Sequence, residues 1–313
     1  MSLPVVHHPA YRASMPPGHR FPMAKYSRLM AHLLEERVVT PAQLHRPELA
    51  PLSWLEQAHT RAYVDAVQGL KLEPAAERRI GLPITPEVVT RSRAAVAGTV
   101  LTARLALEHG LACNTAGGSH HAFADHGAGF CVFNDVAVAA RVLLDEGRIE
   151  RALVVDLDVH QGDGTAAIFA GDSRVHTFSM HCGVNFPLHK QSSDLDVELD
   201  AGLEDAAYLA LLADHLPGLL AEVRPDLVFF NAGVDPHLDD RLGRLALTEG
   251  GLWRRERLVL RTCLGAGVPV AGVIGGGYAP DLEQLVRLHS ILHRVASDLA
   301  RCLWRKGGTV RGG

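Results

Sequence analysis

The sequence predicts an α/β fold, an open and mostly parallel sheet with helices on both faces, organised as a single domain over residues 1–313. Two observations carry this. Short, apolar, β-branched segments of strand length recur along the chain, and helical patterns separate most of them, which implies a mostly parallel sheet covered on both sides. Polar residues then gather just beyond the strands, where open α/β sheets bind their ligands. A length of 313 residues is above the usual single-domain size but within the range that large α/β domains reach.

In chain order, a strand is predicted over 3–6, then helices over about 23–36 and 54–68. The clearest helix runs from Pro86 to His109. Thr85 can cap its start, Pro86 suits the first helical position, and Gly110 supplies the stop. Strand 111–116 follows, then helix 132–147, strand 152–157 and strand 174–180. A helix over 204–216 is expected to break at Pro217. Strand 226–232, helix 248–264, strand 268–274 and helix 281–303 complete the pattern. No internal repeat, low-complexity segment or linker interrupts it.

Composition narrows the function. Apolar residues make up 47% of the chain and charged residues 21%, a globular balance that argues against a disordered chain and a membrane protein. The net charge is −4 and there is no dense Lys/Arg run, so neither nucleic acid nor an anionic membrane is an expected partner. The five cysteines (Cys113, Cys131, Cys182, Cys263, Cys302) include no CxxC pair and read as reduced thiols. No secretory signal or apolar run of membrane-spanning length is visible, which makes the cytoplasm the expected location.

Five strand ends carry polar chemistry: Gly117-Gly118-Ser119-His120-His121, Asp158-Val159-His160-Gln161-Gly162-Asp163, Ser179-Met180-His181, Gly233-Val234-Asp235 and Gly275-Gly276-Gly277-Tyr278. Alternation along a strand would turn Asp156, Asp158 and His160 the same way, with Leu157 and Val159 packed behind them. Carboxylate and imidazole ligands suit zinc, and a catalytic site needs three of them with one position left open. Asp158 and His160 are two candidates and Asp235 a third. Taken alone, the alternation also fits a solvated edge or a calcium-like cluster. A histidine beside such a metal, His120 or His121, can move protons if a carboxylate orients it, and Asp156 and Asp163 are the available partners. Asp163, in Gly162-Asp163-Gly164, equally fits a turn.

The segments GGSHHAFADHGAGFCVFND, VVDLDVHQGDG, NAGVD and GGGY, in this order and spacing, resemble the histone deacetylase, acetylpolyamine amidase and acetoin utilisation family, which has an arginase-like open α/β fold. DDRLGRLALT and GHRFPMAKY are most similar to its class IV and related bacterial branch. The resemblance implies a zinc-dependent amide hydrolase that removes acetyl or longer acyl groups from lysine side chains or a related small acylated amine. It implies zinc ligands Asp158, His160 and Asp235, Asp156 paired to His120, and Asp163 paired to His121. His121 would act as base and then acid, with His120 as an electrostatic partner and Tyr278 as donor to the developing oxyanion.

It further implies a narrow substrate tunnel lined by Gly129, Phe130 and Phe186, although an exposed or core phenylalanine is the plain alternative for Phe186. A structural potassium site would match Asp156, Asp158, His160, Ser179 and Met180. Leu242 stands where polyamine-specific members carry an acidic gatekeeper, so a cationic polyamine finds no partner there. Two other readings compete. An arginase-type binuclear hydrolase would need further aspartate-rich motifs, and a silent acyl-ligand-binding protein would need neither the proton-transfer residues nor Tyr278.

Overall fold

The computed structural model describes residues 2–307, with side chains as far as Arg301. The first half of the chain forms β1 (Val5–Val6), α1 (Lys25–Glu35), β2 (Leu44–His45), α2 (Leu52–Leu55), α3 (Arg61–Gln68), α4 (Pro74–Ile80), α5 (Pro86–His109), β3 (Leu111–Asn114) and α6 (Asp135–Asp145). The second half forms β4 (Ala152–Asp156), α7 (Asp163–Phe169), β5 (Val175–Cys182), β6 (Leu195–Leu199), α8 (Asp205–Val223), β7 (Leu227–Asn231), α9 (Glu249–Gly265), β8 (Val270–Val273) and α10 (Leu282–Gly307).

The eight strands make one sheet in the order β2-β1-β3-β8-β7-β4-β5-β6. Every pairing is parallel, so the sheet is wholly rather than mostly parallel. Its central strands are buried along their whole length, as a sheet covered on both sides requires. On one face α5 packs along β3 and β8, with α6 beside it and α7 against β5. On the other, α10 packs on β3 between α1 and α9, and α8 follows next to α9. Apolar side chains from both layers merge into one buried core.

Several predicted boundaries change, each for a local reason. The helix expected over 54–68 is two helices, because Thr60 starts α3 afresh by accepting from the Tyr63 amide at 3.4 Å. α8 does not break at Pro217 but continues to Val223. The proline lies on the exposed side, where water can satisfy the carbonyl it leaves unpaired. Contrary to the expectation that no apolar run reaches membrane-spanning length, α8 is by length and composition apolar enough to span a bilayer; here Leu212, Leu216, Leu219 and Leu220 are buried. The short strand β2, the acidic edge strand β6 and the helices α4 and α7 were not predicted. Strand β5 extends to Cys182, so Ser179-Met180-His181 lies within it rather than at its end. Cys113, Cys131, Cys182 and Cys263 are buried free thiols; the side chain of Cys302 falls outside the described residues.

Candidate active site

The strand order explains where the chemistry collects. The chain passes from β3 to β4 over the places later filled by β8 and β7, so the carboxyl ends of β3, β8, β7 and β4 stand side by side at the point where the winding reverses. Four of the five polar segments emerge there. The register sets Asp156 opposite Asn231 on one side and Ser179 on the other.

Strand β4 stops at Asp156, so Asp158 and His160 are not on a strand face as expected; they lie in the bend that follows. The acids themselves make this bend. The Asp158 amide donates to Asp156 Oδ1 at 3.2 Å, and the His160 amide to Asp158 Oδ1 at 3.1 Å, a local side-chain-to-backbone pattern that competes with the ladder. Leu157 and Val159 are fully buried behind it, as the sequence implies.

Asp158, His160 and Asp235 come together. All three are buried, and one potential ligand atom from each lies within 4.8 Å of the others. The Gly276 amide donates to Asp158 Oδ2 at 2.7 Å and the Val159 amide to Asp235 Oδ1 at 2.9 Å, which orients both carboxylates. Asp235 Oδ2 is buried without a well-formed hydrogen bond, 3.2 Å from His160 Nδ1. A Cβ at Gly276 would stand 2.1 Å from that oxygen and 2.6 Å from Asp158 Oδ2, so the glycine keeps the space beside them open. Burial, and next the charge of Asp158, raise Asp235 above the ordinary carboxylate range. Two buried carboxylates and one imidazole fit a divalent cation, which would relieve their repulsion.

The two adjacent histidines are held by different acids. His120 Nδ1 lies 2.7 Å from Asp156 Oδ2, and His121 Nδ1 lies 2.6 Å from Asp163 Oδ1. Asp156 is itself steadied by Asn231 Nδ2 at 2.9 Å. Asp163 is the first residue of α7, so it serves a helix start and a histidine together. The imidazoles are 4.1 Å apart between ring centres, and they differ in charge. Burial works against a proton on His120, but Asp156 and Asp158 outweigh it and raise the group to about 9. Burial and the neighbouring His120 push His121 down to about 4.

A cleft of about 400 Å³ leads down to these groups, lined by His121, Gly129, Phe130, His160, Phe186, Leu242 and Tyr278 among others. Phe186 is 43% exposed and sets its ring edge-on to His121, 4.8 Å between centres, so it belongs to the cleft wall rather than to the core. Phe130 adopts φ +67°, a left-handed conformation unusual for a bulky residue, just after Gly129 at +52°. A Cβ on Gly129 would sit 2.5 Å from the His121 ring. The Tyr278 amide donates to Asp240 Oδ2 at 2.7 Å, and burial followed by the charges of Asp158 and Asp235 keeps its phenol protonated well beyond neutral pH. Of the potassium candidates, Ser179 donates to or accepts from His181 Nδ1 at 3.0 Å, and Met180 is fully buried beside it. The other histidine pair is structural: His7 bonds Thr115 Oγ1, and His8 caps the Ala10 amide.

Sequence reasoning assigned no role to several residues that hold the site. Asp135 accepts from the Gly118 and Ser119 amides at 3.1 and 2.7 Å, fixing the turn before His120. Asp240 accepts from the Leu242 and Gly243 amides as well as from Tyr278. Arg255, ion-paired to Glu256 and fully buried, donates to the Leu157 carbonyl at 3.1 Å behind the bend that carries Asp158 and His160. Below Tyr278 lies an inner cavity of only about 30 Å³, with Lys25 and Arg91 in its wall. Lys25 is buried and donates to the Gly275 carbonyl at 3.2 Å; burial brings its ammonium down to about 8. Its place in GHRFPMAKY was a visible signal, whereas Arg91, midway along α5, had none.

The chain resembles known proteins over most of its length. A family model described as histone deacetylase domain matches residues 19–291. The chain is 58% identical over 299 residues to an uncharacterized protein of Picosynechococcus sp., covering 96% of this chain and all of that one. It is 28% identical over 277 residues to histone deacetylase 2 of Arabidopsis thaliana, covering 86% of this chain and 72% of the relative. Its fold matches the crystal structure of the HDA15 HD domain with a TM-score of 0.79 at 22% identity, over 95% of this chain and 88% of that one.

Proposed function

This chain belongs to the histone deacetylase family, and we propose from that premise that it is a zinc-dependent amide hydrolase acting on acetylated amines. The observation that carries the proposal is the convergence, at the foot of one cleft, of the buried Asp158–His160–Asp235 group with the His121–Asp163 pair and Tyr278. Zinc held by the first three would polarise the amide carbonyl and activate a water.

The remaining steps belong to the protein. His121 is neutral at physiological pH, so it is ready to accept the water's proton and later pass it to the leaving amine. Asp163 holds Nδ1 of that ring and leaves Nε2 for the proton transfer. His120 keeps its own proton against Asp156, and the resulting charge further disfavours a resting proton on His121. Tyr278, protonated, donates to the carbonyl oxygen as negative charge develops on it. Phe130 and Phe186 enclose the methylene chain of an acyl-lysine and exclude water from it.

The inner cavity has room for about one water or methylene group. An acetyl group therefore fits better than the longer acyl groups the family resemblance also allows. Lys25 and Arg91 offer the released carboxylate two cationic partners there.

The decisive experiment combines metal analysis with acetate release from an acetyl-lysine peptide, before and after chelation. One divalent metal per chain, with activity lost on chelation and restored by zinc, is the expected result. Acetate release that chelation leaves untouched would overturn the mechanism.

A further inference from the structure

The cleft opens through a mouth of unpaired arginines. Arg20, Arg78, Arg79 and Arg244 all line it and all are exposed. No ion pair or side-chain hydrogen bond occupies any of these four guanidinium groups among the described residues, whereas Arg28, Arg141, Arg174 and Arg254 elsewhere on the surface reach carboxylates. The cleft lining includes no aspartate, glutamate or lysine. Such a concentration of one sign is unexpected on a chain whose net charge is −4.

The backbone holding the arginines is tied to the tunnel wall. The Gly129 amide donates to the Arg79 carbonyl at 3.2 Å, and the Phe130 amide to the Ile80 carbonyl at 2.7 Å. His19 Nε2 donates to the Gly81 carbonyl at 3.0 Å, which fastens the segment bearing Arg20 to the same turn. Arg244 follows the Leu242-Gly243 turn held by Asp240, and its carbonyl accepts from the Gly202 amide at 2.7 Å. Complementing the dipole at the end of α4 would account for Arg78 and Arg79, which stand in its last turn. It accounts for neither Arg20 nor Arg244.

We infer that the substrate of this site, read as a deacylase, is an acylated amine whose body carries negative charge, as carboxylate or phosphate, close to the acylated nitrogen. A guanidinium fork matches both anions, and a cleft lined by one sign of charge focuses its field on what enters. Screening at physiological salt limits that field to about 8 Å, so the anion must lie near the mouth. Lysine-rich peptides and polyamines are repelled by the same groups.

The test compares kcat/KM for acetyl-lysine peptides flanked by Asp, Ala or Lys at 20 and 500 mM NaCl. A second pair, α-amine-blocked acetyl-lysine with a free carboxylate and its amide, separates a small anionic substrate from an acidic peptide. At low salt the anionic member should lead its neutral counterpart by about tenfold in at least one set, the sum of several exposed ion pairs, and high salt should shrink the lead. The double variant Arg78→Glu, Arg244→Glu should favour the Lys-flanked peptide instead. Rates equal within about twofold across both sets, or a preference that charge reversal leaves in place, would overturn the inference. Should no substrate be hydrolysed, the deacylase reading fails separately. Fluorescence anisotropy of the labelled peptides then decides the mouth, with tighter binding of the Asp-flanked peptide supporting it and equal binding refuting it.

Discussion

Replacing Gly276 by alanine tests the metal site through a single methyl group. The glycine has an ordinary backbone conformation, so alanine introduces no backbone strain. Its Cβ would nevertheless stand 2.1 Å from Asp235 Oδ2 and 2.6 Å from Asp158 Oδ2, where contacts under 3.0 Å are essentially never seen. Asp235 must therefore retreat by about 0.9 Å, the difference between 2.1 and 3.0 Å. Metal–ligand distances tolerate only about 0.2 Å, so one of three ligands is lost, while overpacking itself costs about 1–3 kcal/mol of stability. We expect metal affinity to fall by at least about 100-fold, near 2.7 kcal/mol. Equilibrium dialysis with metal analysis reads this directly. Melting with and without chelator gives an independent reading, because chelation should lower Tm in the parent and hardly move it in the variant. A Gly276→Ala protein that bound one zinc with parental affinity would refute both the ligand set and the purpose assigned to the glycine.

Four further outcomes follow from the site and the core. His121→Ala and Tyr278→Phe should each retain zinc and lose about 100-fold or more in kcat, measured as acetate release; a Tyr278→Phe enzyme at the parental rate would remove the tyrosine from the mechanism. Leu242→Glu should move the kcat/KM ratio toward acetylated spermidine and away from acetyl-lysine peptide by about tenfold, the scale of one charge-assisted hydrogen bond, and an unmoved ratio would show that position 242 does not face the substrate. Acetyl-lysine should be hydrolysed faster than butyryl-lysine because the inner cavity is about 30 Å³, and the reverse order would mean that the floor opens. Stability should fall between pH 7 and pH 5. His59 and His293 are buried and held at about 4, below the ordinary 6.5, so the unfolded chain binds more protons as pH drops through that window. Each contributes about 2 kcal/mol over those two pH units. His59 accepts from the Asn134 amide and bonds the Phe123 carbonyl, which requires one neutral tautomer. Urea melts that superimpose at pH 7 and 5 would contradict this.

What could be read in the sequence was whatever local chemistry determines. α5 has its predicted ends because Thr85, Pro86 and Gly110 each act on their own backbone neighbours. Asp158, His160, His120 and His121 stand in compact motifs, and the structure brings them together with Asp235. Elements stabilised mainly from outside were harder to see. β2 is two residues long and β6 carries Asp196 and Glu198; both lie at edges of the sheet, where water meets one side and strand propensity counts for little. The arginine mouth was invisible for a different reason. Its members come from positions 20, 78, 79 and 244, so a search for a dense basic run finds nothing until the fold assembles one.

Strand β8 is last in the chain yet sits near the middle of the sheet, between β3 and β7. During synthesis more than 270 residues must therefore be made before any strand can bridge β3 and β7. Until then β3 and β7 each present an open edge, the kind of surface that invites mispairing with another chain. Gly276 and Tyr278 arrive on the same late segment, so a partly made chain lacks both the wall beside Asp158 and Asp235 and the proposed oxyanion donor. On the mechanism proposed above, a nascent chain would have no activity until its sheet closes.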